Sequence, residues 1–324
     1  MASLRPWALL ALVLPLAGYA ESRDAASWLE KMSEAMNNLN FQGTFVYRHD
    51  DQLESMRIVH ARDEHGERER LLSLNGEARE ILRDDRRLTC IWPGTQSVVV
   101  DKARQATPLP AWNPHSSAEL ASYYGLETGG RERIAERDAQ RIDILPKDGY
   151  RYGYRMWLDV DSGLLLKSDM LDEQGQVIEQ VMFTELDIVD DPDALDLNPP
   201  QISPTYRWYK RDADTEVLTD LGSDWEMQLP AGFRLDSNRV LVGHGNAPKV
   251  QQMVLSDGLA SVSVFVEPVS DQEPRLQGVS HMGAVNAYGV LLADHHVTVV
   301  GEVPPATVEL LGSTIRPREA LTAK

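Results

Sequence analysis

The sequence predicts an α+β protein: an N-terminal curved antiparallel sheet or half-open β-barrel covered by helices, plus a smaller C-terminal α+β unit. Three observations carry this reading. Apolar residues recur at helical spacing over 22–40 and give way at once to the period-two stretch Phe41-Gln42-Gly43-Thr44-Phe45-Val46-Tyr47. At least five strand-like runs follow, separated by short turn signals. A proline-dense stretch around Asn198-Pro199-Pro200 and Ser203-Pro204 then precedes a second β-rich region that ends in one helical pattern.

The helix places Ala25, Trp28, Leu29, Met32, Ala35, Met36 and Leu39 on one face, with Glu30, Lys31, Ser33, Glu34 and Asn37 opposite. Asp24 is the expected N-cap, and Asn37-Asn38 and Asn40 the stop. In the first strand Phe41, Phe45 and Tyr47 share a face with Gly43 between them, and the strand is expected at an edge of the sheet. A meander continues through Glu54–His60, Glu67–Leu74, Ala78–Leu82, Arg87–Trp92 and Gln96–Val100, with Asn75-Gly76 as a hairpin signal. Ala106–Pro114 reads as a loop and Ser117–Tyr124 as a short helix stopped by Gly125. Strands then resume over Glu132–Arg137, Ala139–Leu145, Tyr152–Asp159, Leu164–Leu171 and Val177–Val189, the last long enough to wrap the sheet edge. Asp159 and Asp161 flank a turn and are expected to satisfy its backbone donors.

Residues 191–214 read as a stiff linker, interrupted by Thr205-Tyr206-Arg207-Trp208-Tyr209-Lys210-Arg211. Its aromatics either tether the linker to the flanking units or, with Arg207, Lys210 and Arg211, contact a partner or a lipid headgroup. Beyond it, Arg239–Gly243, Val250–Ser256, Ala260–Glu267, Asn286–Ala293 and Val297–Val303 read as strands. Ser256-Asp257-Gly258 reads as a tight turn, and Pro304-Pro305 as the opening of a last helix. The expected layout is a signal peptide over 1–20, a first unit over 21–190, the linker, a second unit over 215–318 and a tail over 319–324. Arg5, the apolar run of about ten residues from Trp7 and the small residues at Gly18-Tyr19-Ala20 support export.

The 324 residues carry a net charge of -18, which argues against nucleic acid as a partner. Cys90 stands alone, so no intrachain disulfide forms, and it reads as a small buried hydrophobe. No phosphate loop, nucleophile elbow or His-Glu-x-x-His helix is present, so no catalytic residue, cofactor or metal ligand is assigned and the chain reads as a non-enzyme. His295 and His296 would point to opposite faces of a strand, and His49, His60 and His65 read as solvated turn residues. Trp28, Met32, Met36, Phe41, Phe45, Met56, Ile58, Trp92 and Trp157 either line an apolar cavity under the helix or form ordinary core.

The string Asn40-Phe41-Gln42-Gly43-Thr44-Phe45-Val46-Tyr47 after a helix, followed by Met56-Arg57-Ile58-Val59-His60, resembles the start of the RseB/MucB family, and the Pro199-Pro200 stretch and C-terminal region fit the same family. That resemblance implies a LolA/LppX-like first domain and a periplasmic negative regulator of a sigma-E-type factor such as AlgU. It implies binding of the periplasmic segment of the anti-sigma factor MucA, shielding it from regulated proteolysis and thereby controlling alginate production. It also implies relief by a lipid or lipopolysaccharide ligand, and a homo-oligomer with dimers favoured. The alternative is a periplasmic lipid or lipoprotein carrier.

Overall fold

The computed structural model describes residues 17–64, 66–102, 117–210, 215–217, 224–241, 249–269 and 276–318. The expected signal peptide lies mostly outside these residues, as do the Ala106–Pro114 loop, His65, Arg211 and the tail. No helix among the described residues is long and apolar enough to cross a membrane.

The chain is a mixed α+β fold with a large antiparallel sheet partly covered by helices and a smaller C-terminal α+β region. Helix α1 (Ala17–Asn38) leads into β1 (Phe41–His49), β2 (Gln52–Asp63), β3 (Gly66–Ser73), β4 (Glu80–Asp84), β5 (Arg87–Trp92) and β6 (Ser97–Lys102). After α2 (Ser117–Tyr123) come β7 (Tyr124–Ile134), β8 (Arg137–Pro146), β9 (Gly153–Asp159), β10 (Leu165–Leu171) and β11 (Val177–Ile188). Strand β12 (Arg207–Lys210) completes a twelve-stranded sheet of order β12-β6-β5-β4-β3-β2-β1-β11-β10-β9-β8-β7.

Several local expectations change in three dimensions. Asp24 lies inside α1 rather than at its cap, because the helix begins at Ala17. Gly125 does not stop α2; it is the second residue of β7, whose backbone pairs with β8 from Tyr124 onward. Strand β1 is central and not an edge, because β11 pairs along its whole length, Phe41 opposite Ile188 through His49 opposite Glu179. The long β11 therefore fills the middle of the sheet.

Two apolar clusters hold α1 to this sheet. Ala25, Leu29 and Met32 pack with Tyr124, Leu126, Ile142, Tyr154 and Met156. Ala35 joins Phe41, Phe45, Met56, Ile58, Trp157, Val181 and Phe183. Lys31 docks the helix on the β9–β10 turn by donating to the carbonyls of Val160 (2.8 Å) and Asp161 (3.0 Å). At that turn Asp159 accepts from the Ser162 N–H at 3.1 Å and pairs with Arg137 at 3.1 Å.

The proline-dense stretch runs from β11, in mid-sheet, to β12 at the far edge. Leu195 packs with Val59 and Ala61, supported by Val189 and Leu197. Arg70 grips the same stretch through the Asp196 carboxylate at 2.7 Å. It is thus a strap laid across the strands.

The second sheet is built from β13 (Thr215–Val217), β15 (Arg234–Leu241), β16 (Val250–Ser256), β17 (Ser261–Pro268), β18 (Gly278–Met282), β19 (Val285–Leu292) and β20 (His295–Gly301). A small ribbon pairs β14 (Trp225–Glu226) with β21 (Arg316–Pro317). The order is β13-β15-β16-β17-β20-β19-β18, and α3 (Pro305–Thr314) seals one face with Val308 and Leu311 against Val262, Val264, Val297 and Val299. Strands β13, β14, β18 and β21 carry no sequence expectation, since each is short or lacks a run of alternation.

Candidate binding surfaces

The apolar side chains proposed to line a cavity divide between two packed clusters. Met32 belongs to the first, with Trp28 packed against it, while Phe41, Phe45, Met56, Ile58 and Trp157 belong to the second; Met36 touches both. Trp92 lies apart from them. It lines an open pocket of about 460 Å³ with Glu54, Ser73, Asn75, Glu77 and Arg79 at the turn end of the meander.

The aromatic–basic stretch forms β12, which pairs in parallel with β6: Arg207 opposite Ser97, Trp208 opposite Val98, Tyr209 opposite Val99, Lys210 opposite Val100. Its seat is fixed by the Arg207 N–H donating to the Gln96 carbonyl at 2.8 Å. All four residues are exposed, and Trp208 and Tyr209 leave 52% and 50% of their surface open. The aromatics are therefore displayed rather than used to tether the chain by burial. An exposed Trp–Tyr pair beside cations has the composition of an interaction hot spot.

Five arginines of the meander are matched by carboxylates, whereas Arg57, Arg86 and Arg87 are exposed. Arg62 pairs with Glu67, Arg68 with Asp63, Arg70 with Glu80, Arg79 with Glu54, and Arg83 with Glu67 and Glu69. His60 is buried, contrary to the solvated reading. Its ring stacks on Phe41 at 5.0 Å, Nδ1 meets the Leu39 carbonyl at 2.9 Å, and Nε2 lies 3.6 Å from Glu67. The end of α1 closes over it, a contact that strand alternation does not report. The His60 ring beside it, with help from Arg83, holds the Glu67 carboxyl below its ordinary value. His295 and His296 separate as expected: His296 is buried between Glu267 and the Leu276 carbonyl, whereas His295 meets the Trp225 ring edge-on. Cys90 is half-buried in β5.

The densest polar cluster was not anticipated, and it joins the two sheets. Arg151, on the β8–β9 bend, has a side chain with no solvent exposure. It pairs with Asp148 through two 3.0 Å bonds, donates to Asp257 Oδ2 at 2.6 Å, and donates to the Ala231 carbonyl at 2.6 Å. Tyr123, Tyr124 and Phe233 surround the guanidinium, 5.2–5.3 Å from its carbon. Tyr124 donates to the same Asp257 oxygen at 3.0 Å, and burial followed by the Asp257 charge pushes its hydroxyl well above the ordinary value, so it stays a donor. Asp257 Oδ1 is occupied by the N–H groups of Leu259 and Ala260 in its own hairpin. The flanking residues dock as well. Thr307 donates to the Tyr150 carbonyl at 2.7 Å, and Asn286 donates to the Tyr152 hydroxyl at 3.0 Å. The signal for this clasp is the triplet Tyr150-Arg151-Tyr152, of the same composition as the β12 stretch.

A second contact lies at the β1–β2 turn. Lost hydration raises the Glu179 carboxyl; the Tyr47 hydroxyl, His49 and the Ala284 N–H oppose that rise, and Asp50 adds to it. Nearby Glu302 is an exposed residue whose carboxyl is crowded by protein, and it too is raised, by lost hydration and then by the Glu179 charge. A carboxyl with a raised folded-state value binds its proton more tightly when folded. Its contribution is present below the unfolded value and is lost as pH rises through the folded one. Glu179→Gln is expected to flatten the fall in stability above about pH 4.5, checked by urea unfolding across that range; superimposable profiles would refute the assignment.

Residues 24–201 match the MucB/RseB N-terminal domain and residues 219–316 the MucB/RseB C-terminal domain. The chain belongs to the MucB/RseB family. Within it, the sigma factor AlgU regulatory protein MucB of Pseudomonas aeruginosa is 35% identical over 309 residues, 93% of each chain. The sigma-E factor regulatory protein RseB of Haemophilus influenzae is 27% identical over 309 residues, 95% of this chain and 96% of that one. The crystal structure of MucB in complex with MucA(peri) superposes with a TM-score of 0.70 at 30% identity, covering 92% of this chain and 100% of that one. In MucB/RseB terms the Arg151 clasp joins the N-terminal to the C-terminal domain, and β12 lies between the two matched segments.

Proposed function

We propose that this chain is a periplasmic regulatory binding protein that holds the periplasmic segment of a MucA-type anti-sigma factor, shields it from regulated proteolysis and so restrains an AlgU/sigma-E-type factor. The observation that carries this is whole-chain similarity: both MucB/RseB domains match, and the relative crystallised with MucA(peri) aligns with 92% of the chain. The clasp supports it in physical terms, because a partner spanning both domains needs them held in one arrangement. The protein acts by binding and not by catalysis.

The partner surface in this reading includes Arg207, Trp208, Tyr209 and Lys210, exposed together on β12. The reading extends to export after loss of residues 1–20, to dimers, and to a lipid or lipopolysaccharide signal that releases the partner. Lipid uptake would have to part Phe41, Phe45 and Trp157 from their neighbours, since these side chains pack against one another.

The test is protection of the MucA periplasmic segment from its initiating protease. Protection by the folded chain, lost on adding lipopolysaccharide, is the expected result. Protection that lipopolysaccharide leaves intact would remove the lipid signal, and cleavage at the unprotected rate would remove the regulatory reading.

A further inference from the structure

We infer that β12 is a strand-addition site, at which an extended acidic segment of the protein partner becomes the next strand of the N-terminal sheet; this rests on the binding function proposed above. Strand β12 ends the order of the twelve-stranded sheet, so its outer side has no strand neighbour among the described residues. The Arg207 N–H is spent on the Gln96 carbonyl. By the two-residue repeat, Arg207 and Tyr209 direct their backbone groups to β6, whereas Trp208 and Lys210 direct theirs outward. An outward row of N–H and C=O groups is a template for an added strand.

The side chains give that edge a chemical preference. Trp208 and Lys210 lie on one face of the sheet with Val98 and Val100, and Arg207 and Tyr209 on the other with Ser97 and Val99. An added strand thus meets one aromatic body and one cation on each face. In a chain of net charge -18, an acidic segment is repelled across most of the surface and drawn to such an edge. The same two cations oppose pairing with β12 of a second copy, so the edge discriminates against self-association. The other end of the sheet is built differently. Strand β7 carries Glu127, Arg131, Glu132 and Arg133 and a bulge between Thr128 and Arg131, features that blunt an edge.

The test compares Lys210→Ala with Lys210→Pro in the whole folded chain, titrated with the MucA periplasmic segment. Both variants lose the charge, but only proline also removes the outward N–H, and it costs no bond to β6. Lys210→Ala should weaken binding a few-fold, with the difference shrinking at high salt. Lys210→Pro should weaken it about ten-fold further at an unchanged melting midpoint. Should the proline variant fold poorly, hydrogen exchange on the unmodified chain decides: the Trp208 and Lys210 amides should slow on binding. Equal losses for both variants, or unprotected amides in the complex, would overturn strand addition while leaving the binding function standing. No binding by the unmodified chain would overturn that function and this inference with it. Anionic phospholipid vesicles form a control arm. If Trp208→Ala and Lys210→Ala abolish vesicle binding but leave MucA binding untouched, β12 is a headgroup contact and the inference falls.

Discussion

Arg151→Met is expected to cost about 3–5 kcal/mol at the junction between the two domains. Methionine fills much of the aromatic enclosure formed by Tyr123, Tyr124 and Phe233, so the loss is electrostatic more than steric. It strands the Asp257 charge in a place with no solvent exposure and leaves the Ala231 carbonyl without its donor. Urea unfolding followed by circular dichroism should change from one coupled transition to two, because the clasp is the main polar link between the sheets. Adding Asp257→Asn should recover part of the loss, since the stranded charge is then gone while an oxygen remains for the Leu259 and Ala260 N–H groups. If Arg151→Met unfolded like the unmodified protein, the clasp would be incidental to how the domains are joined.

Gly43→Val is the second substitution with a large expected effect, about 3 kcal/mol or more. A Cβ at Gly43 would stand 2.5 Å from the Glu185 carbonyl oxygen and 2.9 Å from the Phe183 ring. The β1–β11 ladder shifts register between Thr44 and Phe45, so the two backbones approach closely there. The strain falls in mid-sheet, where it must displace Phe183 or separate two paired strands. Loss of soluble folded protein, or a clear drop in the denaturation midpoint, is the expected result. Gly76→Ala serves as the contrast: a Cβ there meets nothing, although its φ of +69° still penalises any side chain. A Gly43→Val protein as stable as the parent would mean that β11 can yield at this point.

How far the sequence reveals this architecture depends on how local each feature is. Alternation in Phe41–Tyr47 and helical spacing from Ala25 to Leu39 are properties of single segments, and both elements formed where the pattern placed them. The central position of β1 is not local, because it depends on a partner about 140 residues away in β11. Strand β12 was hidden for two reasons. It has only four residues among prolines, and its parallel partner β6 precedes it by about 110 positions. The burial of His60 is not legible in the sequence because strand periodicity cannot report the end of α1 folding back over it. The two aromatic–basic stretches are the most instructive pair. Tyr150-Arg151-Tyr152 and Tyr206-Arg207-Trp208-Tyr209-Lys210 read alike, yet one is enclosed and the other displayed. What separates them is the carboxylate supply. Asp148 and Asp257 converge on Arg151, whereas no described ion pair engages Arg207 or Lys210.

The strap between β11 and β12 sets a limit on chain length. In the sheet order, seven steps separate those strands, a distance of roughly 34 Å at about 4.8 Å per step. Residues 189–206 must cover it, and a fully extended chain of that length reaches roughly 60 Å. The slack is therefore real but finite: about ten extended residues form the shortest possible bridge. Deletions within 198–204 that leave the Leu195–Asp196 anchor untouched should be tolerated until the chain is nearly taut. Past that point the pairing of β12 with β6 would be the first thing to give way, and the display of Trp208 and Tyr209 would go with it. Prolines suit such a span, since they keep it extended and offer no N–H to the strands passing beneath.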